Sequence, residues 1–169
     1  MAIDIREATP AEHAEAGRVT ADAYREFVGP DDADWERYLA RIADVAGRAS
    51  RTTILIAVGS GRILGSLTLE LEGRVRDDED EEFRPLEPEE AHIRMLGVDP
   101  TARGRGVARA LMAESERRAV ASGKTVLTLN TTRRMRAARA MYEGLGYERD
   151  EDTVFPDGFV LLGYRKRLA

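Results

Sequence analysis

Between Val98 and Ala108 the chain reads Val-Asp-Pro-Thr-Ala-Arg-Gly-Arg-Gly-Val-Ala. The mostly apolar run that leads into it, Ile93-Arg-Met-Leu-Gly-Val98, reads as a strand, and the apolar-periodic residues after it read as a helix. N–H groups at the start of such a helix lack intrahelical acceptors and sit at the positive end of its dipole, which makes a site for an anion such as a phosphate. Gly104 and Gly106 let the backbone curl and come close to a ligand, while Arg103 and Arg105 bring positive charge.

Two common phosphate loops do not fit. A P-loop needs Gly-x4-Gly-Lys-Ser/Thr, and no Lys follows these glycines. In the dinucleotide pattern Gly-x-Gly-x-x-Gly the third glycine is replaced by Arg109, and Val126 stands where the acidic ribose-binding residue belongs. A third pattern, Arg/Gln-x-x-Gly-x-Gly/Ala, is met by Arg103, Gly106 and Ala108. It is preceded by Leu96-Gly-Val-Asp-Pro and followed, about thirty residues on, by Ala138-Arg-Ala-Met-Tyr142-Glu-Gly-Leu-Gly-Tyr147. Together these segments resemble the GNAT N-acetyltransferase superfamily, whose members bind acetyl-coenzyme A.

The resemblance implies an α/β fold (α+β in some schemes) over the whole chain. A central mixed, mostly antiparallel sheet of about six to seven strands is flanked by helices. The fourth and fifth strands, ending near Val98 and Asn130, run parallel and splay apart, and the cofactor's pantetheine arm pairs with the fourth like an added strand. Gly97 suits a bulge at the splay. Leu96 and Val98 would offer backbone groups to the cofactor's amides, and Arg103, Gly104, Arg105, Gly106, Val107 and Ala108 would hold the pyrophosphate. Asn130 and Ala138 complete the expected cofactor set. Met135 departs from the family, many members of which carry a cofactor-touching Asn there.

Moving an acetyl group from a thioester to an amine raises two proton problems. An amine of pKa ~10.4 is ammonium at neutral pH, and a departing thiolate of pKa ~8.5 benefits from a proton. The resemblance puts Tyr142 beside the sulfur as the acid, and a phenol of pKa ~10 is protonated and able to donate. The alternative is packing with Ala138 and Leu145 at helical spacing. For the base, counting back from Gly106 puts His92 where histone-modifying members carry a glutamate. A neutral imidazole is suited to accept a proton. Glu90, or water with no dedicated base, are the other readings.

Composition bounds the rest. At 169 residues the chain suits a single domain, 1–169, with one substantial core. With no apolar run of membrane length and no leader, it is expected in the cytoplasm. Absence of cysteine excludes disulfides, thiolate metal sites and a Cys nucleophile, and the separation of His13 and His92 argues against zinc, so no metal is expected. A net charge of −5 makes general nucleic-acid binding a poor fit, although Lys124 and Lys166 are the only lysines among 26 basic residues. Residues 77–82 are six consecutive carboxylates, read as a solvated loop or as a lure for a cationic acceptor. Arg133, Arg134, Arg136 and Arg139 surround a helix start, where they pair with surface carboxylates or meet the coenzyme's phosphates.

The elements that must position these residues alternate without a linker. Residues 3–8 read as a strand, and Thr9-Pro-Ala-Glu12 as a capping box opening a helix that runs to about Val28. A second helix carries Trp35, Leu39, Ile42 and Ala46 on one face. Residues 53–58 and 63–72 read as strands, the latter with Leu67, Leu69 and Leu71 toward the core. From Ala91 a strand leads into the glycine turn, and its helix ends at Gly123. Residues 125–130 form a strand, 135–145 a helix, and the tail 158–164 closes the sheet. The expected function is transfer of acetyl from acetyl-CoA to an unidentified amine, a cationic one if the acidic run acts as a lure, by direct attack in a ternary complex. The runner-up is a non-catalytic acetyl-CoA-binding module of the same fold. No membrane partner is expected, and a homodimer is left open.

Overall fold

The computed structural model describes residues 2–27, 33–73, 84–156 and 158–169; the acidic run at 77–82 lies outside them. The strands are β1 (Asp4–Glu7), β2 (Thr53–Gly59), β3 (Arg62–Glu70), β4 (Glu90–Val98), β5 (Val126–Thr131), β6 (Glu148–Val154) and β7 (Val160–Arg167). The α-helices are α1 (His13–Tyr24), α2 (Ala33–Ala43), α3 (Val45–Ala49), α4 (Val107–Ala121) and α5 (Arg136–Gly144). The strands hydrogen-bond in the order β1-β2-β3-β4-β5-β7-β6, with β4 and β5 parallel, giving the expected mixed sheet. Among the described residues no helix is long and apolar enough to cross a membrane. The chain divides into two compact units, Met1–Leu69 with Met95–Ser115, and Glu70–Arg94 with Glu116–Ala169.

In the first unit β1, β2 and β3 pair antiparallel. β3 is buried on both faces from Ile63 to Glu70, so its Leu67 and Leu69 are only half of what it buries. Ala16, Val19, Val45, Ile54, Ile56 and Ile63 form one apolar cluster. The expected second helix is two helices: α2 stops at Ala43, and Asp44 caps α3 by accepting the Gly47 N–H at 3.0 Å. Arg48, 4% exposed, explains the break. Its guanidinium donates to the carbonyls of Arg41, Ile42 and Asp44 at 2.9–3.0 Å, satisfying orphan acceptors at the end of α2. Val45, not Ala46, therefore faces the core.

One residue of β4 departs from extended backbone, Met95. Met95 takes a positive φ of 53°, a conformation costing a non-glycine residue roughly 1–2 kcal/mol. It is held there by packing against Ala21, Leu39 and Ile42. Gly97 serves close approach, since a Cβ there would stand 3.0 Å from the Thr20 Cα of α1.

In the second unit the N-terminal half of β4 pairs with β5 from Glu90↔Val126 to Ile93↔Leu129. β7 pairs antiparallel with both β5 and β6. β6 was not legible as a strand, because Glu148-Arg-Asp-Glu-Asp-Thr-Val shows no apolar alternation. It is the outermost strand, exposed along most of its length and held through its backbone. β7 begins at Val160 and runs on to Arg167. Its Tyr164 packs with Tyr142 of α5, ring centroids 6.0 Å apart, and Tyr142 packs with Tyr147 at 6.1 Å.

Candidate active site

The phosphate turn lies in the first unit. A 3-10 turn at Pro100–Ala102 is tied down by Asp99, which accepts from the Thr101 N–H at 2.8 Å and from Arg62 at 3.0 Å. The chain then passes Gly104 (φ 75°) and Gly106 (φ 80°), a curl that side chains other than glycine adopt at a cost. A Cβ on either glycine would meet no atom of the described residues within 4 Å, so the space beside the turn is open at both. The first helical backbone bond runs from Ala110 N–H to Gly106 O at 3.0 Å. The N–H groups ahead of Ala110 stand before the ladder, as at any helix start. Arg105 is exposed and makes no ion pair among the described residues. Arg103 is committed elsewhere: it binds Glu26 at 2.5 Å and donates to the Ala23 carbonyl at 3.4 Å. Leu96, Val98 and Ala108 are half-buried and Val107 is buried.

The second unit carries the titratable groups. A cavity of about 460 Å³ there is lined by His92 and Asn130 among others. Parallel pairing sets Thr128 directly beside His92. Thr128 Oγ1 donates to Glu90 Oε1 at 2.5 Å, a much shorter contact than the 3.4 Å to the Ala91 carbonyl. The hydroxyl has one proton, so once that proton is on the carboxylate it can only accept from the imidazole. His92 Nδ1, 2.7 Å away, is therefore the donor, and Nε2 keeps its lone pair.

Glu90 is held from the other side by a two-pronged contact with Arg84 and by the Glu87 N–H at 3.2 Å. Burial raises its pKa, but the hydrogen bonds from Arg84 and Thr128 outweigh that and hold it at about 2. A carboxylate so committed is a fixed acceptor, not a base. His92 is 3% exposed. Burial, reinforced by Arg94 and only partly opposed by Glu90, brings its pKa down to about 3, so the ring is neutral at physiological pH.

Tyr142 is 5% exposed, and its hydroxyl makes no hydrogen bond among the described residues. Burial raises its pKa well above the ordinary phenol value, which keeps the proton on oxygen. Ala138 lies one turn earlier on α5 and is half-buried. Met135 occupies the N-cap of α5 without a side-chain cap; its sulfur accepts from Thr131 Oγ1 at 3.5 Å.

His92 and Asn130 are thus brought to one cavity, and Tyr142 lies in the same unit. Sequence reasoning missed Thr128 and Arg84, which hold His92 and Glu90. It also missed the wall of the cavity made by Asp150, Glu151 and Asp152. A regular strand turns successive side chains to opposite faces, and the register shift between Asp150 and Thr153 is what lets three neighbours line one cavity. Gly163 permits it: a Cβ there would come within 2.2 Å of the Glu151 carbonyl oxygen.

Several solved structures share this architecture. The PaiA N-acetyltransferase of Thermoplasma acidophilum, in complex with coenzyme A, matches with a TM-score of 0.73 at 16% identity, over 99% of each chain. YncA from Salmonella typhimurium, with its cofactor acetyl-CoA, gives 0.69 and 18% over 100% of this chain and 95% of that one. The ribosomal-protein-alanine N-acetyltransferase of Brucella melitensis gives 0.67 and 23% over 98% and 99%. No curated protein matches the sequence at a significant level. The acetyltransferase (GNAT) family model matches residues 17–147, which include the glycine turn, the His92–Thr128–Glu90 network and the tyrosine helix, and the chain belongs to that family.

Proposed function

We propose that residues 1–169 act as one acetyl-CoA-dependent N-acetyltransferase domain, moving an acetyl group to a primary amine by direct attack in a ternary complex. The observation that carries this reading is His92: a neutral imidazole with one nitrogen committed to Thr128 and the other free at a cavity wall.

The open curl at Gly104 and Gly106, followed by the start of the fifteen-residue helix α4, fits a pyrophosphate. Arg105 supplies charge without first having to leave a partner, whereas Arg103 would exchange Glu26 for phosphate. Bound acetyl-CoA supplies the acetyl thioester. Coenzyme complexes of similar folds support that choice of cofactor.

His92 cannot strip a proton from an ammonium ion, because its own pKa is far below that of an amine. The acceptor therefore reacts as free base. Its nitrogen becomes acidic once its lone pair is shared with carbon, and Nε2 is placed to take the proton then. Glu90, ionised and linked through Thr128, offsets the imidazolium charge. Tyr142 holds its proton on oxygen and donates it in a hydrogen bond to the departing sulfur.

Coenzyme A thiol release with a panel of primary amines, and amide product by mass spectrometry, test the reading. A protein that binds acetyl-CoA and yields no amide with any amine would be the non-catalytic module instead.

A further inference from the structure

The cavity of the second unit has charges that proton transfer does not use. Six carboxylates line it. Glu90 is matched by Arg84, and Asp152 by Arg149. Glu87, Glu89, Asp150 and Glu151 are in no salt bridge among the described residues, although Arg84 also attracts Glu87 and Asp150 at longer range, and the wall has one further guanidinium without a salt bridge, Arg165. The excess is therefore negative, and it comes from two separate parts of the chain: the turn before β4 and the bulge of β6. Carboxylates crowded around a concavity repel one another and focus a field that draws cations.

A cluster of acids has an ordinary explanation as a solvated surface, so a second feature decides. His92 is 3% exposed, and its Nε2 has no hydrogen-bond partner among the described residues although the residue lines this cavity. Nε2 is not among the buried atoms left without a partner, so its lone pair meets whatever fills the cavity. A donor that also carries positive charge suits both that lone pair and the surrounding carboxylates.

We infer that this cavity is the acceptor site and that it takes a primary amine carried on a chain with a second positive charge, such as an aliphatic diamine or a segment with two lysines. The reacting amine meets His92 Nε2, and the second cation rests among Glu87, Glu89, Asp150 and Glu151. This deepens the proposed function and rests on His92 facing the acceptor. Asn130, half-buried on the same wall, is left to meet the carbon chain between the charges.

The test compares butylamine with 1,4-diaminobutane as acceptors. The diamine is expected to have a kcat/KM about tenfold or more higher at low ionic strength, the advantage shrinking as salt screens the wall. In the double variant Glu89→Gln/Glu151→Gln the ratio should fall to about threefold or less. A ratio near one in the parent, or a ratio unmoved in the double variant, would overturn the inference. A blocked peptide with two lysines, set beside one in which the second lysine is glutamine, separates the two sources. Preference for the dilysine peptide over the free diamine assigns a protein segment, the reverse assigns a small molecule, and equal rates for the two peptides and for the two amines count against the site. Calorimetric titration of 1,4-diaminobutane into the protein, without acetyl-CoA, separates the site from the chemistry. Binding that weakens in the double variant upholds the cation site even if no amine is acetylated; absence of binding overturns it.

Discussion

His92 Nδ1 lies 2.7 Å from Thr128 Oγ1, and the single proton of that hydroxyl is already spent on Glu90. The relationship fixes which imidazole nitrogen is bare without any appeal to function. Nitrogen NMR can read it directly, because the chain has only two histidines, His13 and His92. At neutral pH His92 is expected as the Nδ1–H tautomer. Thr128→Ser should preserve it, while Thr128→Val should release the ring to a mixture or to the other form. An Nε2–H ring in the parent would break the network as drawn.

Acid stability follows from the same residue. His92 falls from an ordinary 6.5 to about 3 on folding, so between those values the unfolded chain binds a proton that the folded chain refuses. Stability is therefore full above pH 6.5 and lost as pH falls toward 3. At about 1.4 kcal/mol per pH unit, the loss from pH 6.5 to 4 is roughly 3 kcal/mol from this group. Glu90, lowered from 4.5 to about 2, works in the same direction at more acid pH. Urea unfolding at both pH values should show a clearly smaller pH loss in His92→Gln than in the parent; equal losses would mean that the ring titrates normally.

At the turn, Gly106→Asp places a carboxylate and a Cβ in the open side of the curl. Acetyl-CoA affinity should drop about 100-fold, or roughly 3 kcal/mol, by charge repulsion and lost backbone fit. Isothermal titration of both proteins measures it, and unchanged affinity would move the cofactor elsewhere.

Tyr142→Phe removes one oxygen to which nothing among the described residues hydrogen-bonds. Stability should change little, while kcat falls roughly 10- to 1000-fold with little effect on cofactor affinity. Steady-state kinetics beside a thermal melt separates the two: a kcat equal to the parent's would leave Tyr142 as packing for Tyr147 and Tyr164.

What could be read beforehand was what local chemistry dictates. The strand before the glycine turn, the helix after it and the helix that carries Tyr142 stand where residue type and spacing put them, while the roles of Tyr142 and His92 came from the resemblance. Thr128 was out of reach, since nothing in Thr125-Val-Leu-Thr-Leu-Asn130 says that its fourth residue pairs with His92; that is a fact of parallel register. β6 was hidden for a related reason, because an edge strand is held by its backbone and owes nothing to apolar periodicity. The positive φ of Met95 was hidden as well, because tertiary packing holds a methionine where local preference favours glycine. Arg103 looked free to bind phosphate because its partner, Glu26, lies far away in sequence.

The acidity of β6 has a further consequence, for solubility. As the last strand in the order it has one paired edge and, among the described residues, no strand on the other, a template on which another chain can add a strand. Glu148, Arg149, Glu151 and Asp152, exposed along a strand with almost no apolar content, make such addition unfavourable by repulsion and by the cost of stripping water from charge. Neutralising this wall would therefore remove a guard against edge-to-edge aggregation together with the lining of the cavity.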